Sequence, residues 1–418
     1  MMSGPWAFGS CLIGATILRL QIRRQGDILQ RAGGQHSGAV WRRAHRRSTG
    51  WILPARPQGR FRARRNSVVG LTLCAALCAC SSPPLSPFTT NNPPLVLVAA
   101  QEAGIKDERA RFREIYCAVL EARAQSFPDY RPCEKALTRV GSEPAPTGKP
   151  VDLGPSRRHL IVGFVPGLGW ECFADWLNAT GSVTAHLAQF GYDARLVEVG
   201  GLTGTEENAR RIRDAVLAMP VAAGERRVVL IGYSKGAPDL LEAIVRYPEI
   251  RPYLAAVISA AGAVGGSPLA NPAKESDADL LVHWPGAHCE KSDGHAIESL
   301  RPNVRQAWLA RHPLPRDVPY YSLVTYPDPD HISRMLRGSY DKLSKIDARN
   351  DSQLIFYDEV IPGSTLVGYV NADHWALAVP LNRSHPWLTS MFATENAYPR
   401  EALLEALLRL VEEDLQGG

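Results

Sequence analysis

The chain has 418 residues, 45% of them apolar, and a formal net charge of +5 at neutral pH. Residues 1–79 hold 13 Arg, no Lys and a single acid, Asp27, so the remainder is net acidic at −7. That balance excludes the basic footprint of a nucleic-acid partner, and past residue 80 no apolar stretch is long enough to span a bilayer as a helix.

Residues 1–59 are Arg-rich without a periodic pattern, as expected where a start codon is placed too far upstream. Arg60, Arg62, Arg64 and Arg65 then form a basic region and Val68 to Ala79 an apolar one, closed by Leu77-Cys78-Ala79-Cys80. This is the layout of an export signal, too short for a membrane span. The tetrapeptide resembles a bacterial lipobox, although Cys78 stands where small uncharged residues are commoner. The resemblance implies lipidation of Cys80 and a mature chain tethered at the cell envelope. Ser81 favours the outer membrane, facing the periplasm, with ordinary secretion as the alternative. Ser81 to Pro94, rich in Pro, Ser and Thr, reads as an extended spacer.

Four cysteines remain after Cys80: Cys117, Cys133, Cys172 and Cys289. An even number in an exported chain predicts two disulfides. Of the three connectivities, local pairing is expected, Cys117 with Cys133 and Cys172 with Cys289; reduced buried thiols are the alternative. The first pair would close a loop of about 15 residues, worth on the order of 3 kcal/mol. No Cys/His spacing suits zinc, so no metal is expected.

Phe112, Ile115, Tyr116, Val119 and Leu120 recur at helical spacing within 107–124. With 133–140 they predict a small helical N-terminal element within residues 80–156, and the Pro- and Gly-rich 142–156 a linker. From 157 to 418 strand signals (159–165, 194–199, 227–231, 254–260, 319–325, 365–370) alternate with helical ones (171–190, 205–218, 236–246, 399–415). Alternation predicts one α/β domain with a mostly parallel central sheet and helices on both faces. Residues 262–318 interrupt it and contain one amphipathic helix, Ala296 to His312. So long an insertion reads as a lid over an active site, an unrelated surface excursion being the alternative.

Gly232-Tyr233-Ser234-Lys235-Gly236 follows the apolar run Val228-Val229-Leu230-Ile231 and precedes a helical stretch. Strand, Gly-x-Ser-x-Gly, helix is the context of a nucleophile elbow, where flanking glycines relieve the crowding of a sharp turn. Upstream, another apolar run ends in Val165-Pro166-Gly167-Leu168-Gly169-Trp170; downstream, a third ends in Asn371-Ala372-Asp373-His374-Trp375. Acidic residues lie between Ser234 and His374, giving the chain order Ser, acid, His.

These motifs resemble the α/β-hydrolase superfamily, and lipases and esterases within it, over roughly residues 157–416. The resemblance implies Ser234 as nucleophile and His374 as base, acting on carboxylic esters with no cofactor. Arg349-Asn350-Asp351-Ser352 is similar to the Asn-Asp-Gly turn of secreted lipases, which implies Asp351 as the acid. Asp328, Asp330 and Asp358 are alternatives, and Asp373 braces the histidine loop. The 165–170 segment resembles the His-Gly loop of esterases with Pro166 replacing His, which implies oxyanion donors at Leu168 and Lys235 and a substrate-pocket wall at Trp170. The Lys235 side chain is expected either on the solvated helix face or at the entrance, favouring an anionic substrate such as a phospholipid headgroup. Acyl transfer to an acceptor other than water, and a catalytically inactive envelope-binding lipoprotein, are the alternatives to ester hydrolysis.

Overall fold

Continuous apolar runs are what strands covered on both faces require, and here they stack in register. The computed structural model describes residues 105–417 apart from 128, 173–180, 278–286 and 292. The export signal, Cys80 and the spacer lie outside these residues. Among the described residues eight strands form one sheet: β1 (Lys106–Asp107), β2 (Leu137–Thr138), β3 (Ile161–Val165), β4 (Asp193–Leu196), β5 (Val228–Tyr233), β6 (Leu254–Ala260), β7 (Tyr320–Thr325) and β8 (Thr365–Val370). The order across it is β1-β8-β7-β6-β5-β3-β4, with β2 also on β8. Every pairing is parallel except that of β2 with β8.

Eight helices bear on the sheet and the site: α1 (Arg109–Arg123), α2 (Gly181–Gln189), α3 (Thr205–Leu217), α4 (Gly236–Arg246), α5 (Pro302–Arg311), α6 (Arg337–Leu343), α7 (His374–Ala378) and α8 (Arg400–Gly417). The two-residue alternation of a strand divides the sheet between two cores. Val229 and Ile231 of β5 join α1, α2 and α8 in one apolar cluster. Val228 and Leu230 join α3, α4 and Trp308 of α5 in the other. Helices therefore cover both faces, as the alternation predicts.

Two expected elements differ. The segment 133–140 is not helical throughout: a single helical turn, Cys133–Ala136, passes into β2, which pairs Leu137 with Val370 and Thr138 with Tyr369. The open edge of β8 offers unpaired backbone groups, and pairing them overrides a local helical preference. The N-terminal element thus shares the sheet, and the Tyr116 hydroxyl donates to that of Tyr398 at 3.2 Å. The expected helix 296–312 divides into a 3-10 turn at Glu298–Leu300 and α5, because Pro302 lacks an N–H and forces Arg301 into an extended conformation (ψ 134°). The second part of the insertion packs into the domain through Trp308, which joins the cluster of β5 and α4. Arg305 is fully buried, its Nε donating to Val264 O at the start of the insertion at 3.2 Å.

Both expected disulfides form. Cys117 of α1 joins Cys133 before β2, and Cys172 joins Cys289, tying the segment after β3 to the insertion.

Candidate active site

β5 delivers Ser234 to a turn of left-handed backbone, with φ of 54°. The turn is tight. A Cβ at Gly236 would collide with the carbonyl oxygens of Val165 and Pro166, and one at Gly232 would lie 2.7 Å from the Ala237 backbone. Side chains at either flank would push the elbow off β3 and α4, so the spacing of the pentapeptide is a steric requirement.

His374 opens α7. Asp373 caps that helix: its Oδ1 accepts the Ala376 N–H at 2.8 Å and its Oδ2 the Ser333 N–H at 2.9 Å. It braces the loop, as the sequence suggests, and leaves the ring of His374 to other partners. Nε2 lies 2.9 Å from Ser234 Oγ and Nδ1 lies 2.6 Å from Asp351 Oδ2. Asp351 is fully buried. Its Oδ1 accepts the N–H groups of Gln353 and Leu354 at 2.9 and 2.7 Å, and its backbone oxygen accepts that of His374 at 3.0 Å. A carboxylate so fixed accepts the hydrogen bond of the Nδ1–H, which keeps the proton on Nδ1 and leaves Nε2 to accept from the serine hydroxyl.

Ser352, where lipases of similar motif carry Gly, sits at φ 84°, and its N–H donates to Asn350 Oδ1 at 3.0 Å. The turn demands positive φ, which is why glycine suits the position. Of the alternative acids, Asp328 and Asp330 are exposed, and Asp328 Oδ2 accepts from Asn371 Nδ2 at 2.9 Å. Asp358 is buried against Gly265. None of the three bonds to His374 among the described residues.

Gly167 lies against the elbow: a Cβ there would meet Ser234 Cβ at 2.8 Å and Oγ at 3.3 Å. The loop turns at Gly169, whose φ is 69° and whose N–H donates to Gly201 O at 2.9 Å. Among the described residues no protein acceptor takes the N–H of Leu168 or Lys235. Two free donors flanking a serine can bind a developing oxyanion.

The Lys235 side chain corrects both expectations for it. It is 1% exposed, neither solvated nor at an entrance, and its Nζ lies 2.8 and 2.9 Å from the oxygens of Asp239 one helical turn on. Asn208 of α3 donates to Asp239 at 2.8 Å and to Gly200 O at 3.0 Å, and accepts the Gly200 N–H at 2.9 Å. The ion pair therefore connects the elbow to the Gly200–Gly201 turn that holds the Leu168 loop. Burial pushes the Asp239 carboxyl up, against the pull of Lys235.

Beside the elbow an apolar cavity of about 90 Å³ is lined by Pro166, Trp170, Ile231, Tyr233 and Leu323, among others. Trp170 forms part of its wall and, like Trp375 and Val379, packs against the buried Leu381 and Ala393. Three neighbours carry no sequence signal. Tyr233 donates its hydroxyl to His374 O at 2.8 Å, Thr325 donates to Asp351 Oδ2 at 2.6 Å, and Glu359, fully buried, contacts Thr325. They come from β5, from the end of β7 and from the turn before β8, so only the folded topology brings them together. Among the described residues no group of three or more His, Cys, Asp or Glu side chains could hold a metal ion.

A mostly parallel sheet with helices on both faces and a Gly-x-Ser-x-Gly turn after a central strand is the α/β-hydrolase fold. Among solved structures the chain is similar to the metagenomic carboxyl esterase MGS0156, at 38% identity and a TM-score of 0.72, over 84% of this chain and 100% of that one. It therefore belongs to the same family of carboxyl esterases. It is also similar to the mature Bacillus licheniformis lipase BlEst2 (22% identity, TM-score 0.44, 58% of this chain and 96% of that one). Staphylococcus hyicus lipase matches at 11% identity and a TM-score of 0.44, over 64% of this chain and all of that one. No protein-family model and no curated protein matches the chain.

Proposed function

We propose that the chain is a serine hydrolase of carboxylic esters working through an acyl-enzyme. The observation that carries this reading is the continuous contact from Ser234 Oγ to His374 Nε2 at 2.9 Å and from His374 Nδ1 to Asp351 at 2.6 Å. His374 takes the Ser234 proton as Oγ forms a bond to the ester carbonyl carbon, and the N–H groups of Leu168 and Lys235 receive the oxyanion. Collapse breaks the ester C–O bond, and the leaving alkoxide takes the proton from His374. A water molecule repeats the sequence, adding OH to the acyl carbon and returning the proton to Ser234. The apolar cavity beside Trp170 suits a hydrocarbon substituent of the substrate.

The test is a panel of short-chain esters, triglycerides and phospholipids. Hydrolysis by the wild type, lost in Ser234→Ala with the fold retained, is the expected result. Transfer to an added alcohol faster than to water would make the protein an acyltransferase, and inactivity on the whole panel a binding protein.

We further propose lipid anchoring at Cys80 in the bacterial envelope, on the outer membrane facing the periplasm. The support is the basic and apolar run ending at Ala79-Cys80. Metabolic incorporation of a palmitate analogue, dependent on Cys80, is expected; unlabelled protein in the medium would refute it.

A further inference from the structure

Thr325, the last residue of β7, stands between two buried carboxyl groups. Its Oγ1 lies 2.6 Å from Asp351 Oδ2, and 3.0 and 2.9 Å from Oε1 and Oε2 of Glu359. A hydroxyl has one hydrogen and donates it to one acceptor. Were both carboxyl groups ionised, the second contact would set bare oxygens against each other. One of them therefore carries a proton, and the surroundings decide which. Asp351 accepts the N–H groups of Gln353 and Leu354 and faces the His374 ring. Glu359 accepts a single N–H, from Thr325 at 2.7 Å. Among the described residues it has no Lys, Arg or His partner. The titratable groups around it are Asp351, Asp358, Tyr233 and Tyr369, with His374 beyond Asp351. Burial, then the charge of Asp351, pushes the Glu359 carboxyl well above its ordinary range.

We propose that Glu359 is a positioning residue of the candidate site: as a neutral acid it donates to Thr325 Oγ1, which turns the Thr325 hydrogen onto Asp351 Oδ2 and fixes the carboxylate that orients His374. The inference rests on the serine-hydrolase reading of Ser234, His374 and Asp351. Glu359 touches no reacting atom and acts only through Thr325.

Two properties follow that a merely space-filling glutamate lacks. First, an amide replaces a neutral acid donor for donor, so Glu359→Gln rescues what other changes to the relay lose. It keeps kcat within about fivefold of wild type, and the acid-side fall of kcat/KM stays at the same pH. Thr325→Val removes the relay and lowers kcat about tenfold or more with KM little changed, while Thr325→Ser restores it. Second, above about pH 4.5, the ordinary glutamate value, the unfolded chain releases the Glu359 proton and the folded chain keeps it. Unfolding of the wild type relative to Glu359→Gln is then favoured about tenfold more for each pH unit.

The experiment is urea unfolding of both proteins between pH 5 and 7, with pH profiles of ester hydrolysis for the three variants. A ratio of unfolding constants that rises about tenfold per pH unit is expected; a flat ratio overturns the proposal. So does an acid-side fall that moves about one pH unit lower in Glu359→Gln, the mark of a lost negative charge, or full kcat in Thr325→Val. Failure of the serine reading would show separately, as activity surviving in Ser234→Ala, and would leave the unfolding comparison intact.

Discussion

Adjacent residues on the elbow have opposite surroundings. Ser234 is lifted out on left-handed backbone beside His374, while the next side chain, Lys235, turns inward to Asp239 and is 1% exposed. Because the pair is dry, its deletion has a structural consequence. Lys235→Met leaves Asp239 buried without its cation, and removing one partner of a buried pair costs about 3–5 kcal/mol. Urea unfolding is expected to register that loss, with the ratio of kcat/KM for anionic and neutral esters unchanged. A stable variant with altered charge preference would return the ammonium to the substrate. Ser234 and His374 were legible because the glycine spacing and the end of an apolar run are local signals. The direction of Lys235 was not, since its partners Asp239 and Asn208 belong to the packing of α4 on α3. Thr325 and Glu359 were illegible for the same reason: nothing local marks which buried acid neighbours Asp351.

Five of the strands, β3, β5, β6, β7 and β8, could be read because burial on both faces writes them as apolar runs, β6 and β8 at their observed bounds. β4 at the sheet edge is largely exposed, and the expected strand 194–199 meets it only over 194–196. β1 and β2 could not be read, because two residues have no periodicity and pair only because β8 offers an edge. The helix expected over 296–312 exceeds α5 because hydrophobic residues run across Pro302, whose missing N–H decides where α5 starts. The disulfides act at this scale as ties between elements. Cys172–Cys289 spans 117 residues and Cys117–Cys133 spans 16. In the chain-entropy account the longer loop stabilises by about 2 kcal/mol more. Replacing Cys172 and Cys289 by Ser is therefore expected to lower the unfolding free energy by about 2–5 kcal/mol, and more than replacing Cys117 and Cys133. Equal losses in urea titrations would contradict the assignment of the long tie as the stronger one.

Across the domain, the two ends of the described chain are joined by charge as well as by apolar packing. Glu405 of α8 lies 2.7 Å from Arg123 of α1, from Arg409, and from His186 Nε2 of α2. Burial alone would push the Glu405 carboxyl up, but His186, Arg123 and Arg409 more than offset it and hold it at about 2. A depressed carboxyl contributes its stability above the unfolded value of 4.5 and loses it as pH falls toward about 2. The advantage of wild type over Glu405→Gln is expected to be on the order of 3 kcal/mol at neutral pH and to shrink below pH 4.5; a difference independent of pH would rule the ionic tie out. The central claim, that this fold presents Ser234 as a nucleophile activated by His374 and Asp351, has a direct measurement. A fluorophosphonate reacts with a serine only where a base and an oxyanion site activate it. Mass spectrometry of the labelled wild type is expected to find one adduct, on Ser234, with stoichiometric loss of ester hydrolysis and no labelling of Ser234→Ala or Asp351→Asn. Labelling of another residue, or undiminished hydrolysis by a fully labelled protein, would contradict it.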